Sequence, residues 1–183
     1  MIVSEQKKKE NIAEYIIYMY QIEDVIRAYQ FDLDAIIENF VSPQLPDRSF
    51  LNDYSKWYLA LINGMKSQKI EKVGHLSEIN EVMIELSYLH NMLMNIVKDV
   101  KYIKLFEAAI KNIDAFKDKS NLKDKNHIEI AFHALYMKLL LKLKRQEISP
   151  ESEDAFDTMR ILLAYLSKSY HKMKNGDLDF VNN

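Results

Sequence analysis

Residues 11–29 read NIAEYIIYMYQIEDVIRAY, and this stretch decides the fold. From Ile12 to Tyr20 only Glu14 carries a charge at neutral pH. A helix that is apolar on every side is normally covered by neighbours on several sides. The stretch therefore predicts the central, hydrophobic N-terminal helix of an all-α bundle. That helix should begin near Ser4 or Glu10, end near Tyr29, and bury Ile12, Ile16, Met19, Ile22 and Ile26. A membrane span needs about 20 consecutive apolar residues; this run is far shorter, so no membrane is expected.

Glu14, Tyr18, Gln21 and Val25 follow one another at i, i+4, i+7 and i+11, which places them on one stripe of the helix. If the stripe faces the interior, the Glu14 carboxylate must be paired, hydrogen-bonded or neutralised. Buried polar groups are usually satisfied by a neighbour, and a tyrosine hydroxyl or a lysine would serve. The sharper reading makes Glu14, Tyr18 and Gln21 a ligand-binding site for a small polar molecule held between helices. Glu23 and Arg27 read as an i, i+4 ion pair on the same helix.

The totals support the all-helical reading. Only three glycines and three prolines occur in 183 residues, with neither type between Gly74 and Pro150 and no alternating β-branched runs. The length favours a single domain, taken as residues 1–183 with 175–183 as a tail. A formal net charge of −2 gives no general attraction to nucleic acid. The absence of cysteine excludes disulfides, thiolate nucleophiles and Cys-ligated metal sites. The N-terminal MIVSEQKKKEN lacks the apolar run of a signal peptide, so a cytoplasmic location is expected.

About six or seven helices are predicted. Asp32 caps a short one from Leu33 to Phe40, and the prolines at 43 and 46 mark a loop. Asp47 or Ser49 opens the next, which runs to about Lys72 with Gly74 beyond its end. The pair Trp57-Tyr58 on that helix reads as core packing. An apolar pattern then runs from Ser77 to Ile113, and typical helix lengths predict a break near Lys98–Lys101. A helix from Lys125 to Arg145 is apolar on most sides, with Lys138, Lys142 and Arg145 as a basic stripe. Ser149-Pro150 starts the last helix as N-cap and first-turn proline, and Asn175-Gly176 ends it. In the tail, Leu178 and Phe180 are expected to dock on the bundle or on a neighbour.

The familiar catalytic motifs are missing: no glycine-rich phosphate loop, no HExxH, no Gly-x-Ser-x-Gly. Any metal site would have to come from His90, Glu129 and His133, of which Glu129 and His133 sit at i, i+4. Such a site needs three convergent ligands and supporting groups, so no metal and no cofactor are expected. Glu78, Glu81 and Glu85 lie near one face, as in magnesium-binding helical pyrophosphatases, but Val82, Met83 and Leu86 take the buried face and turn the acids to solvent. Lysines 98, 101, 104 and 111 match no nucleic-acid motif, and no nucleic acid is expected.

The stretch NIAEYIIYMYQIEDVIRA with the following FDLDAII resembles the start of a family of small all-helical bacterial proteins of unknown function. The likeness is clearest over these two helices. It implies a compact helical bundle in a bacterial cytoplasm and carries over no catalytic residue. The residues favour a non-catalytic interaction or scaffold protein, self-associating or bound to a protein partner. The alternative is a ligand-binding or metal-dependent hydrolase-type bundle using Glu14 and Gln21, or His90, Glu129 and His133.

Overall fold

The computed structural model describes residues 2–177 and is helical throughout, with no strand among the described residues. The docking expected of Leu178 and Phe180 lies outside them. Eight α-helices are present among the described residues: α1 (Ile2–Glu10), α2 (Ile12–Ala28), α3 (Leu33–Ile36), α4 (Leu51–Ser67), α5 (Ser77–Asn91), α6 (Val100–Lys119), α7 (His127–Leu143) and α8 (Pro150–Asn175). A π-helical turn, Ile37–Val41, continues α3, and another, Met92–Ile96, continues α5.

The count exceeds the predicted six or seven because the expected first helix is two. Asn11 leaves the helical region at φ −153° and caps α2 by accepting from the amides of Ala13 and Glu14. The apolar stretch nevertheless behaves as read. Ile12, Ile16, Met19, Ile22 and Ile26 are all buried, none more than 3% exposed. Truncating Ile16 to alanine should cost about 2–5 kcal/mol. The position of the centre needs correcting. α2 packs on α1, α7 and α8, whereas α8 touches α2, α5, α6 and α7, and α7 touches α2, α5, α6 and α8, so the middle of the bundle is the α7–α8 pair. In α8, Phe156, Met159, Leu162, Leu163, Leu166 and Tyr170 are buried.

The long apolar pattern after Ser77 does break where helix length requires. Lys98 takes φ 52°, and Asp99 caps α6 by accepting from the Tyr102 amide at 2.9 Å. The other Asp99 oxygen accepts from the Tyr165 hydroxyl at 2.7 Å, fixing the new helix to α8. Asp32, Asn126 and Ser149 cap α3, α7 and α8.

Several helices end on a left-handed residue that is not glycine: Lys69 (φ 57°) after α4 and Arg145 (φ 54°) after α7. In each case the following amide donates five residues back, Ile70 to Met65 and Gln146 to Leu141, both at 3.0 Å. These bonds satisfy carbonyls that a helix end leaves free. α4 therefore stops at Ser67, before the expected Lys72, and Gly74 lies in the connection that follows. Gly176 performs the same role after α8 with φ 77°, as its sequence position predicts.

Candidate functional site

The three residues singled out on α2 are divided between two cavities. Glu14 is at the surface, its side chain 59% exposed and paired with Lys7 at 2.9 Å. It stands in the first turn of α2, where a negative charge suits the helix dipole, and accepts from the Asn11 side-chain amide at 3.2 Å. Glu14 thus takes the surface, the alternative to the core position that its stripe left open. Tyr18 and Gln21 are half-buried further along the same stripe of α2 and line a cleft of about 230 Å³ with Tyr54 and Tyr58 of α4. Tyr58 is buried and Trp57 half-buried in an aromatic cluster, its indole 6.4 Å from the Tyr18 ring and 5.1 Å from the Tyr58 ring.

The buried carboxylate of α2 is Glu23, at 0% exposure. It accepts from the Leu76 amide at 2.8 Å, and His75 Nδ1 lies 2.6 Å from its second oxygen. The His75 ring stacks on Tyr20 with centroids 3.8 Å apart, and His133 and Tyr136 close around the same tyrosine. The Tyr136 hydroxyl donates to Asp24 at 2.7 Å. Arg27 pairs with Asp24 at 2.9 Å, not with Glu23, and donates to the carbonyls of Ile70 and Gly74. The network straps the connection from Ile70 to Leu76 onto α2 and α7. With its carboxylate sealed, it acts as a structural clamp.

The candidate metal ligands have separate occupations. His90 Nδ1 shares a hydrogen bond of 2.8 Å with the Tyr102 hydroxyl and meets the Phe106 ring at 4.8 Å. His133 lies 5.7 Å from the His75 ring, centroid to centroid. Burial pushes both His90 and His133 down to about 4, helped by His127 beside the former and by His75 and Lys125 beside the latter. Glu129 closes a capping box with Asn126 and pairs with Lys125 at 2.9 Å. Among the described residues no three His, Asp or Glu side chains converge as metal ligands.

Two of the three acids on α5 are paired with lysines along a groove of about 530 Å³ between α1, α5 and α8. Lys8 pairs with Glu78, and Lys174 with Glu85 at 2.7 Å. On α7, Lys138 pairs with Glu153 and Asp157 of α8, so the basic stripe read from the sequence meets acids of its own chain. No helix of the described residues is long and apolar enough to cross a membrane.

A third cavity, about 650 Å³, is a groove between α2, α7 and α8. Ile17, Leu135, Leu139 and Leu163 line it with apolar surface. Glu14, Lys138, Lys142, Glu153, Asp157 and Arg160 supply its charged groups. The sequence pattern identified α7 as apolar on most sides but gave no sign of this groove, because the approach of three helices is a tertiary property.

Fold and cavities together define a helical bundle with an amphipathic inter-helical groove. The chain belongs to the family described as a domain of unknown function (DUF4924), whose model matches residues 1–177. The likeness carried by the opening helices thus extends along nearly the whole chain. No curated protein and no solved structure matches it.

Proposed function

We propose that this protein is a non-catalytic interaction module that pairs with a second copy of itself through the groove between α2, α7 and α8. One observation carries the reading. α7 is apolar on almost every side, which normally means burial all round, yet Met137 is 44% and Leu143 58% exposed. Leu135, Leu139, Leu140 and Leu141 are only half-buried. An apolar surface of this kind marks an interaction site.

The choice of a second copy rests on charge. The groove is lined by three cations, Lys138, Lys142 and Arg160, and three anions, Glu14, Glu153 and Asp157. A two-fold contact sets the same patch against itself and needs both signs within it; a nucleic acid or a strongly acidic partner needs one sign. A cytoplasmic setting belongs to the same proposal, and the cysteine-free sequence is compatible with a reducing compartment.

Light scattering on size-exclusion fractions, taken over a range of concentrations, tests the pairing. The wild-type chain should approach twice the monomer mass as concentration rises. Leu139→Glu, in the groove, and Leu143→Glu, on the exposed end of α7, should remain monomeric with unchanged helical circular dichroism. A strict monomer at every concentration, or a dimer indifferent to both substitutions, overturns the reading.

A further inference from the structure

The cleft between α2 and α4 has a different chemistry from the groove. Tyr18 and Gln21 enter it from α2, one turn apart; Tyr54 and Tyr58 enter from α4, also one turn apart; Phe40 and Leu45 close it. Phe40 belongs to the π-helical turn Ile37–Val41, and π turns occur frequently at functional sites. Among the described residues no charged side chain lines the cleft.

Of its polar side chains, Gln44 donates to the Phe40 carbonyl at 2.6 Å, and the other four are unused. Among the described residues, the hydroxyls of Tyr18, Tyr54 and Tyr58 and the amide of Gln21 make no hydrogen bond within the protein. Tyr58 is the telling case, because the residue is 1% exposed. A hydroxyl so placed is normally paired. The Arg27 Nε atom is sealed without a partner among the described residues, and Tyr58 is not in that condition. Tyr58 is among the residues that line the cleft. Three phenols and one amide line this space, which has aromatic walls, and make no hydrogen bond among the described residues. Burial, with Tyr54 nearby, pushes Tyr18 up to about 12, and burial with Tyr18 and Tyr54 raises Tyr58 as well, so these phenols stay neutral donors.

We propose that the cleft formed by Tyr18, Gln21, Tyr54 and Tyr58 binds a small, uncharged, flat heteroaromatic molecule bearing hydrogen-bond acceptors. The absence of lining charge selects a neutral ligand, since a buried unpaired charge is costly. Tyrosine hydroxyls and the Gln21 amide provide donors for its acceptors. Pockets for drug-sized ligands measure about 300–1,000 Å³, so a cleft of about 230 Å³ takes a smaller molecule of one or two rings. This function is separate from self-association and stands without it.

Trp57 is the one tryptophan of the chain and lies beside Tyr18 and Tyr58, so its emission reports occupancy. The probes are nicotinamide and uracil, both neutral, and benzoate as a charged aromatic of similar size. Each is titrated against Trp57 emission and checked by saturation-transfer NMR, which is free of optical interference. At least one neutral probe should bind and benzoate should not. Tyr58→Phe should weaken that probe about tenfold, the value of one lost hydrogen bond. It should leave the unfolding midpoint unchanged, because the hydroxyl supports nothing within the fold. Gln21→Leu provides the second variant and should weaken the same probe. Failure of both neutral probes by both methods, benzoate binding as well as they do, or binding indifferent to both substitutions overturns the site. So does a large loss of stability in Tyr58→Phe, which would make the hydroxyl structural.

Discussion

His75 Nδ1 lies 2.6 Å from the carboxylate of Glu23, a residue with no exposed surface, and this pair holds the connection before α5 onto α2. Glu23 also accepts the Leu76 amide at 2.8 Å, so one side chain serves two groups that would otherwise be unpaired in the interior. Glu23→Ala should therefore destabilise the protein by about 1–3 kcal/mol, the cost of leaving the buried Leu76 amide without an acceptor. Glu23→Gln should cost less, because its carbonyl oxygen can still accept from Leu76. Urea unfolding followed by circular dichroism gives both values. An alanine variant with the wild-type midpoint would show that the clamp contributes nothing.

Glu23 was legible in the sequence. Ile12, Ile16, Met19, Glu23 and Ile26 form one helical stripe, and its four apolar members are the core residues expected from the pattern. A carboxylate in that row had to be buried and paired. The i, i+4 spacing to Arg27 suggested a surface pair instead, and spacing alone does not tell which face is covered. The break at Asn11 also carried a signal: Asn11 and Glu14 stand three apart, the spacing of a capping box. The continuous apolar run on the far side of Asn11 obscured it. What no local pattern holds is the meeting of helices, and so neither cleft nor groove could be read. That Tyr18 and Gln21 face one cavity while Glu14 edges another follows from where α4 and α7 settle.

Three histidines make the fold sensitive to acid. His90 and His133 are pushed down to about 4 by burial, and burial lowers His171 too. The folded state therefore holds them neutral while the unfolded chain binds protons near the ordinary value of about 6.5. Their contribution is fully present above that value and declines as pH falls toward 4. The urea midpoint should stay level above neutrality and drop through this window. A midpoint unchanged down to pH 4 would contradict these environments.

Helix ends predict substitutions of opposite sign. Arg145 is exposed and holds a left-handed conformation at φ 54°, where an L-residue with a side chain is disfavoured by about 1–2 kcal/mol. Arg145→Gly should stabilise the chain by up to about 1 kcal/mol, because glycine's greater freedom when unfolded offsets part of the gain. Gly176→Ala, at φ 77° with open space around it, should destabilise by about 1 kcal/mol through the backbone alone. Thermal unfolding of the two variants beside the wild type checks the sign. Shifts in the same direction would rule out the common cause.

The start of α2 depends on α8. Asn11 Oδ1 accepts from the amides of Ala13 at 3.1 Å and Glu14 at 3.3 Å, and from the Ser167 hydroxyl of α8 at 2.9 Å. Beside it the Ile12 amide donates to His171 Nε2, also on α8, at 3.1 Å. The amides that a helix start leaves free are thus shared between its own cap and a neighbouring helix. Asn11→Ala removes three of these bonds while leaving the apolar packing of α2 in place. It should cost about 1–2 kcal/mol, near the upper end for a lost N-cap, because Ser167 loses its acceptor as well. Asn11→Ser keeps a capping oxygen on a shorter side chain and should recover most of the loss. Urea midpoints of the two variants decide the matter, and an Asn11→Ala protein as stable as the wild type would mean that α8 alone, through His171 and Ser167, is enough to start α2.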